Sequence, residues 1–209
     1  MPSLEMVLLF MGAALALNLT PGPDMLYIAA RSVSDGRAAG VLSALGISVG
    51  LLFHVAALAL GLAALLAAVP LAYDIIRILG AVYLLVLGLG LLLRPRRRSD
   101  VASLPRLRLP LIFAQGVVTN VLNPKVALFF LAFLPQFVDL PAGPPVPQIV
   151  LLGLLFNVQG TLVNLAVALL ASRTTVWLRS SEHRLSVLQR LTGALFVGLG
   201  ARLAISGNR

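Results

Sequence analysis

The chain has 209 residues, of which 59% are hydrophobic and only 11% are charged, and its formal net charge is +9. A soluble domain carries about 25% charged residues, so this composition excludes an ordinary soluble protein and indicates a membrane protein. With two histidines and no cysteine, the chain offers neither a disulfide framework nor the usual ligands of zinc. The basic excess is typical of loops that orient a membrane protein, and we expect no nucleic-acid partner, no metal and no cofactor.

Six apolar segments predict an all-α integral membrane protein with six transmembrane helices, because about 20 residues cross a bilayer as a helix. They cover Met6–Ala30, Val41–Ala67, Leu71–Leu93, Leu111–Leu134, Ile149–Ala171 and Leu185–Ile205. The residues before the first segment include no basic residue, and the segment is too long for a signal peptide. We therefore interpret it as a retained helix.

Basic residues concentrate in alternate connections between these segments. Eleven of the sixteen lie in the first, third and fifth connections: Arg31, Arg37, Arg94, Arg96, Arg97, Arg98, Arg106, Arg108, Arg173, Arg179 and Arg184. The N-terminus and the second and fourth connections hold none. The positive-inside rule therefore predicts cytoplasmic odd connections, with both termini outside. We interpret the basic linker over residues 94–110 as a topology anchor, with an anionic-lipid site as the alternative.

The first segment contains a polar run that breaks a helix. The run includes Asn18, Thr20, Pro21, Gly22, Pro23 and Asp24. Prolines and glycine end a helix, and a carboxylate is costly at membrane depth, so the run indicates a binding site. A helix that restarts after the break offers free backbone N–H groups and the positive end of its dipole, and both suit a carboxylate.

Small residues recur at helical spacing along the second segment. They form the stripe Ser43, Gly46, Gly50, His54, Ala57 and Gly61. Close helix packing is the favoured role of the glycines. For His54 we favour burial in the bundle, and the alternative is a proton relay, because imidazole exchanges protons near neutral pH.

The fourth segment repeats the pattern of the first. Asn123 and Pro124 precede Lys125, much as Pro23 precedes Asp24, so a charge directly follows a proline in both segments. Carbonyls left unpaired before each proline suit an ammonium group or another proton donor. Interrupted spans at matching positions in two halves are the best sequence indication of a transport site.

The fifth segment carries small and polar residues on one face. They are Gly153, Asn157, Gly160, Thr161 and Asn164. For Asn157 and Asn164 two roles stay open, namely hydrogen bonding between helices and lining of a substrate pathway.

Internal similarity also links the third and sixth segments. Arg77, Gly80, Ala81 and Tyr83 match Arg190, Gly193, Ala194 and Phe196 in order and spacing. Three segments per half give the second half the opposite orientation, as in inverted-topology transporters. We predict one membrane domain over residues 1–209, with repeats at 1–93 and 111–209 and with helices 1 and 4 broken at their proline motifs.

The motif from Asn18 to Asp24, followed by the basic turn Arg31–Arg37, resembles the N-terminal signature of the LysE/RhtB superfamily of amino-acid exporters. Asn123–Phe130 and Leu134–Phe137 resemble its second signature. The resemblance implies proton-gradient-driven efflux of amino acids or close derivatives across the bacterial inner membrane. It carries over these signature positions: Asn18, Pro21, Gly22, Pro23, Asp24, Asn123, Pro124 and Lys125.

Asp24 and Lys125 are the best-placed charges, and they have three open roles: substrate binding, proton transfer or a structural pair. Because an isolated charge in hydrocarbon is costly, we expect the two to form an ion pair in the empty carrier. A zwitterion would then place its ammonium at Asp24 and its carboxylate at Lys125. Few other carboxylates lie near a span, which favours a neutral substrate such as a homoserine- or threonine-like amino acid.

Other functions fit the sequence less well. A channel or a non-transporting membrane subunit is the first alternative to a carrier, and a membrane enzyme is the weakest, since no nucleophile motif is present. The expected partners are an amino-acid substrate, protons and the lipid bilayer. Glycine-rich faces also permit a homodimer.

Overall fold

The structure is a computed structural model that describes residues 1–68 and 107–179, with isolated positions within 78–93 and 187–201. For residues 62–68 and 171–179 only the backbone is described. All regular structure in these parts is helical, which confirms the predicted class there. The elements are α1 (Leu4–Leu19), α2 (Pro23–Asp35), α3 (Arg37–Ala68), α4 (Leu109–Val121), α5 (Pro124–Ala132), a 3₁₀ helix (Leu134–Phe137) and α6 (Pro145–Arg179).

Both predicted helix breaks are confirmed. α1 ends before Thr20 and Pro21, and α2 restarts with Pro23 in its first position, with a bend of 49° between the two helices. α4 and α5 bend by 45° at the Asn123–Pro124 step. Proline fits the first turn of a helix, where its missing N–H costs nothing. Pro124 therefore both ends α4 and starts α5, whereas at the first break Pro21 ends α1 and Pro23 starts α2.

Two helices are long and apolar enough to cross a membrane. They are Arg37–Gly61 within α3, with mean hydropathy 2.2, and Pro145–Leu170 within α6, with mean hydropathy 1.8. Each bent pair passes the same test as one broken span, which gives up to four candidate spans among the described residues. Most of the predicted third and sixth spans, most of the linker at 94–110 and Arg77 of the Arg77–Arg190 correspondence lie outside the described residues.

The predicted first connection is wrong in extent. α2 continues to Asp35 and α3 begins at Arg37, so the chain turns on Gly36 alone, with φ +90. Only glycine adopts that conformation readily. Arg31 consequently lies inside a helix and is 4% exposed, although the sequence placed it in a loop. The fourth connection is also shorter than predicted, because a 3₁₀ helix follows α5 and α6 begins at Pro145.

Helices α3 and α4 pack at backbone distance through glycines. A methyl group on Gly50 would lie 2.6 Å from the Val117 carbonyl oxygen, and one on Gly116 would lie 2.7 Å from that of Ser43. A methyl on Gly46 would overlap the carbonyl of Phe113. The close packing predicted for the small-residue stripe of α3 is therefore confirmed at Gly46 and Gly50, whereas Gly61 faces open space.

The buried side chains form two apolar groups. The larger contains an aromatic core whose rings lie 4.7–6.5 Å apart, between α1, α5, the 3₁₀ helix and α6. Its members are Phe10, Phe129, Phe130, Phe133, Phe137 and Phe156. The smaller, here called the α2 seal, consists of Ile28, Ala44, Ile47 and Ala168.

Replacing Gly46 with alanine should lower stability by about 1–3 kcal/mol, because the added methyl forces α3 away from α4. The matched change Gly61→Ala, on the same helix but with nothing within 4 Å of the new methyl, should be neutral or slightly stabilising. Thermal unfolding of both variants in detergent measures the difference. Equal midpoints would contradict the close packing.

Candidate functional site

Lys125 closes the end of α1. Because Pro21 has no N–H, the carbonyl of Leu17 lacks its usual helical donor. The Lys125 ammonium donates to this carbonyl and to that of Thr20, each at 2.7 Å. The negative end of the α1 dipole lies at the same point. The second break thus supplies the cation that satisfies the first.

The second break is satisfied in the same way. Pro124 deprives the Asn120 carbonyl of its helical donor, and His54 Nε2 lies 3.0 Å from that oxygen. A carbonyl only accepts hydrogen bonds, so Nε2 carries a hydrogen in this contact. In both breaks the freed carbonyl also accepts from the N–H three residues later, Thr20 at 3.1 Å and Asn123 at 2.9 Å. This contact gives His54 a packing role at the second break.

Asp24 lies in the first turn of α2, and α4 holds one side of its carboxylate. Its Oδ2 accepts from Asn120 Nδ2 at 2.8 Å, a contact between the two breaks. Its Oδ1 is buried and has no hydrogen-bond partner among the described residues. Asn120 Oδ1 and Asn18 Nδ2 are buried and unpartnered there as well. The site therefore keeps two acceptors and one donor unused.

The ion pair predicted between Asp24 and Lys125 is wrong. Both side chains lie in the described part of the chain, and no ion pair joins them. Each charge is held by neutral groups instead, Asp24 by an amide and Lys125 by two carbonyls. The physical reason is the broken backbone, whose freed carbonyls compete with the carboxylate for the ammonium.

Two small cavities flank Asp24, each of about 30 Å³. The Asn157 cavity is further lined by Ser48, Asn120 and Thr161, and the Lys125 cavity by Thr20, Gly22 and Asn123. Both cavities share the side chains of Asn18, Asp24, Val126 and Asn164. Cavities of this size admit water-sized molecules but are too small for an amino acid in this conformation.

The remaining predicted residues fall at or next to these cavities. Asn157 accepts from Ser48 Oγ at 2.9 Å and from Thr161 Oγ1 at 3.2 Å, so it both joins α3 to α6 and lines a cavity. The Asn18 side chain packs against Gly160. Thr20 donates its hydroxyl to the Ala16 carbonyl at 2.7 Å. Pro21, Pro23 and Pro124 shape the breaks.

Two hydrogen-bonding side chains of the lining, Asn120 and Ser48, escaped the sequence-based prediction of the site. Asn120 is fully buried and touches both Asp24 and His54. A proline frees the carbonyl of the residue four positions earlier, and Asn120 lies four positions before Pro124. This spacing was a sequence signal that could have identified Asn120. Ser48 lies outside the small-residue stripe of α3, and no pattern in the sequence marked it.

The chain is similar over most of its length to a known protein family and to known membrane proteins. The model of the LysE type translocator family matches residues 15–207. An uncharacterized membrane protein of Pseudomonas aeruginosa is 33% identical over 198 residues, covering 89% of this chain and 88% of that protein. The uncharacterized membrane protein YrhP of Bacillus subtilis is 27% identical over 209 residues, covering 96% and 99%. No solved structure gives a significant match.

Lys125→Met should destabilise the protein, because it removes the hydrogen bonds from the ammonium to the carbonyls of Leu17 and Thr20. Pro21→Ala restores an N–H opposite the Leu17 carbonyl, so it should offset part of that loss. A double-mutant cycle on unfolding in detergent should show a favourable coupling of about 1–3 kcal/mol.

The control for this cycle is Pro110→Ala, at the start of α4. Pro110 lies in a different helix from Leu17, and its replacement should add independently to Lys125→Met. The Lys125 ammonium is taken to replace, at the Leu17 carbonyl, the N–H that Pro21 lacks. Additive effects of Pro21→Ala and Lys125→Met would contradict this replacement.

Proposed function

This chain belongs to the LysE type translocator family, and we propose that it exports small neutral amino acids by alternating access at the site between its two breaks. The meeting of the breaks supports this most strongly. Lys125 of α5 binds the end of α1, and Asn120 of α4 binds Asp24 of α2. Secondary transporters commonly place substrates between interrupted helices of two repeats.

The unused polar atoms match the two ends of a zwitterion. The Oδ1 atoms of Asp24 and Asn120 are acceptors for an ammonium group. A lysine ammonium has three N–H groups, and α1 holds two of those of Lys125, which leaves one for a carboxylate. The first N–H groups of α2 lie beside it and carry the positive end of a helix dipole.

The Asn157 cavity is the proposed place for the substrate side chain. Its polar walls come from Ser48, Asn157, Thr161 and Asn164, which are uncharged, while Ile47, Leu51 and Phe156 close it. Uncharged hydroxyl and amide groups suit a short neutral side chain better than a cationic one. Substrate binding requires the cavities to widen, as expected for a carrier that alternates between open states.

Proton coupling follows from competition at one atom. An ionised carboxylate that is buried with one neutral hydrogen bond is costly, and either a proton or a substrate ammonium at Asp24 Oδ1 relieves that cost. A proton and a substrate ammonium cannot occupy this atom at the same time. The inward movement of a proton is therefore coupled to the outward movement of substrate. Lys125 and His54 are the further candidates for proton transfer.

We further propose that residues 1–93 and 111–209 form two repeats of opposite orientation in the bacterial inner membrane, with both termini outside. Asp24 and Lys125 each occupy the second position of a helix that starts with proline. A methyl on Gly88 would meet Gly193, and one on Gly200 would meet Ala81. If the third and sixth segments are exchanged, each of these contacts nearly becomes the other. This supports a two-fold symmetry between the two repeats.

Asp24→Asn should abolish proton-driven export in proteoliposomes, because asparagine neither binds a proton nor attracts an ammonium by charge. Loss of one hydrogen bond to a charged group, at about 1.5–3 kcal/mol, corresponds to roughly a 10–100-fold loss of substrate affinity. Counterflow with a panel of labelled amino acids measures both substrate choice and affinity, and saturation distinguishes a carrier from a channel.

Asp139→Asn is the matched control, since this carboxylate lies in the turn after the 3₁₀ helix and away from both cavities. It should transport normally. Undiminished proton-coupled export by Asp24→Asn would contradict the role assigned to Asp24.

A further inference from the structure

Helix α2 lies between two backbone joints. At one end Thr20 and Gly22 are extended around Pro21, and the helix restarts at Pro23. At the other end Gly36 alone connects α2 to α3, with φ +90 and open space where a side chain would lie. These 13 residues can therefore change orientation without unwinding α1 or α3.

A polar cluster, here called the α2–α4 latch, fastens this helix to α4. Arg31 binds Asp35 on its own helix at 3.0 Å and donates to Gln115 Oε1 of α4 at 3.0 Å. Tyr27 donates its hydroxyl to the Ile112 carbonyl of α4 at 2.8 Å. The Arg31 guanidinium also lies over the Tyr27 ring, 5.7 Å from its centre.

The latch lies directly beyond the site. Asp24 meets Asn120 near the end of α4, whereas Tyr27 and Arg31 meet Ile112 and Gln115 in the first two turns of α4. The latch thus occupies the next two turns of α2 after Asp24. None of its members lines either cavity, so the substrate site proposed above does not account for it.

The site is covered by different interactions on its two sides. On the side of α1 and α5 the aromatic core packs six phenylalanine rings against one another. On the side of α2 and α4 the described residues contribute the smaller α2 seal and the latch, and Ile47 of that seal already lines the Asn157 cavity. Hydrogen bonds of a latch exchange with water at small net cost, whereas separating the aromatic core exposes a large apolar area.

We propose, building on the export function above, that the α2–α4 latch is the gate through which substrate reaches Asp24. When Arg31 releases Gln115 and Tyr27 releases Ile112, α2 turns about its two joints at Pro21 and Gly36. This movement opens the Asn157 cavity toward Gly36. Under the predicted topology this side faces the cytoplasm, where an exporter takes up its substrate. Arg31, Tyr27 and Gln115 act by controlling access and need not touch the substrate.

Thiol accessibility tests the gate, and the natural chain helps because it contains no cysteine. Thr161→Cys places one reporter thiol on the wall of the Asn157 cavity. Its rate of modification by a membrane-impermeant thiol reagent is measured in inside-out and right-side-out vesicles. Arg37→Cys, an exposed position next to Gly36, identifies in a separate sample the side on which the gate opens.

Gln115→Leu removes the acceptor of Arg31 with little change in size. Losing a hydrogen bond to a charged group should raise the population of the open state, and hence the labelling rate of Thr161→Cys from the Arg37 side, by about tenfold. Tyr27→Phe should raise it by a smaller factor. Thr119→Val is the control, because the Thr119 hydroxyl bonds only its own helix, at the Gln115 carbonyl, and the rate should not change.

An unchanged rate in both latch variants would overturn the proposal, with full labelling after denaturation showing that the thiol is intact. An equal rise from both sides of the membrane would overturn it too, because it would mean general loosening of the bundle. Labelling needs no substrate. If amino-acid counterflow failed while gated labelling appeared, the proposed substrate would be wrong and the gate would stand.

Discussion

A proline within a membrane-spanning helix removes the donor that the carbonyl four residues earlier would use, and lipid supplies no replacement. The other parts of this structure depend on how that loss is met at Leu17 and Asn120. Lys125 from α5 satisfies the first and His54 from α3 satisfies the second. Each break is thus completed by a residue from another part of the chain. The two bent helix pairs consequently meet at their breaks, and the polar cavities lie at that meeting point.

The same constraint explains where the two charges lie. Asp24 stands in the first turn of α2, where the helix dipole favours an anion. Lys125 has the equivalent place in α5, where its own helix disfavours a cation. The end of α1 compensates, because its free carbonyls and the negative end of its dipole receive the ammonium. A half-buried lysine is tolerated here because a broken helix ends beside it, and Asp24 is left with an unused oxygen.

Chemistry that is local in the sequence was predictable, and contacts between distant residues were not. Both breaks, the long apolar helices and the glycine packing of α3 follow from proline, hydropathy and spacing, each of which acts within a few residues. The ion pair of Asp24 with Lys125 failed because the charges were visible in the sequence but the competing carbonyls were not. Arg31 was misplaced because a single glycine sufficed for the turn. Asn120 meets Asp24 across 96 positions of sequence, a contact that only the fold reveals.

In the proposed transport cycle one ligand is held at both ends by the two breaks. The most direct measurement is an electron cryo-microscopy structure of the protein with the amino acid that exchanges best in counterflow. We predict the ligand ammonium within hydrogen-bond distance of Asp24 Oδ1, and its carboxylate at the Lys125 ammonium and the first N–H groups of α2. A ligand bound elsewhere, with the Asp24–Asn120 and Lys125–Leu17 contacts unchanged and no density between them, would contradict the account.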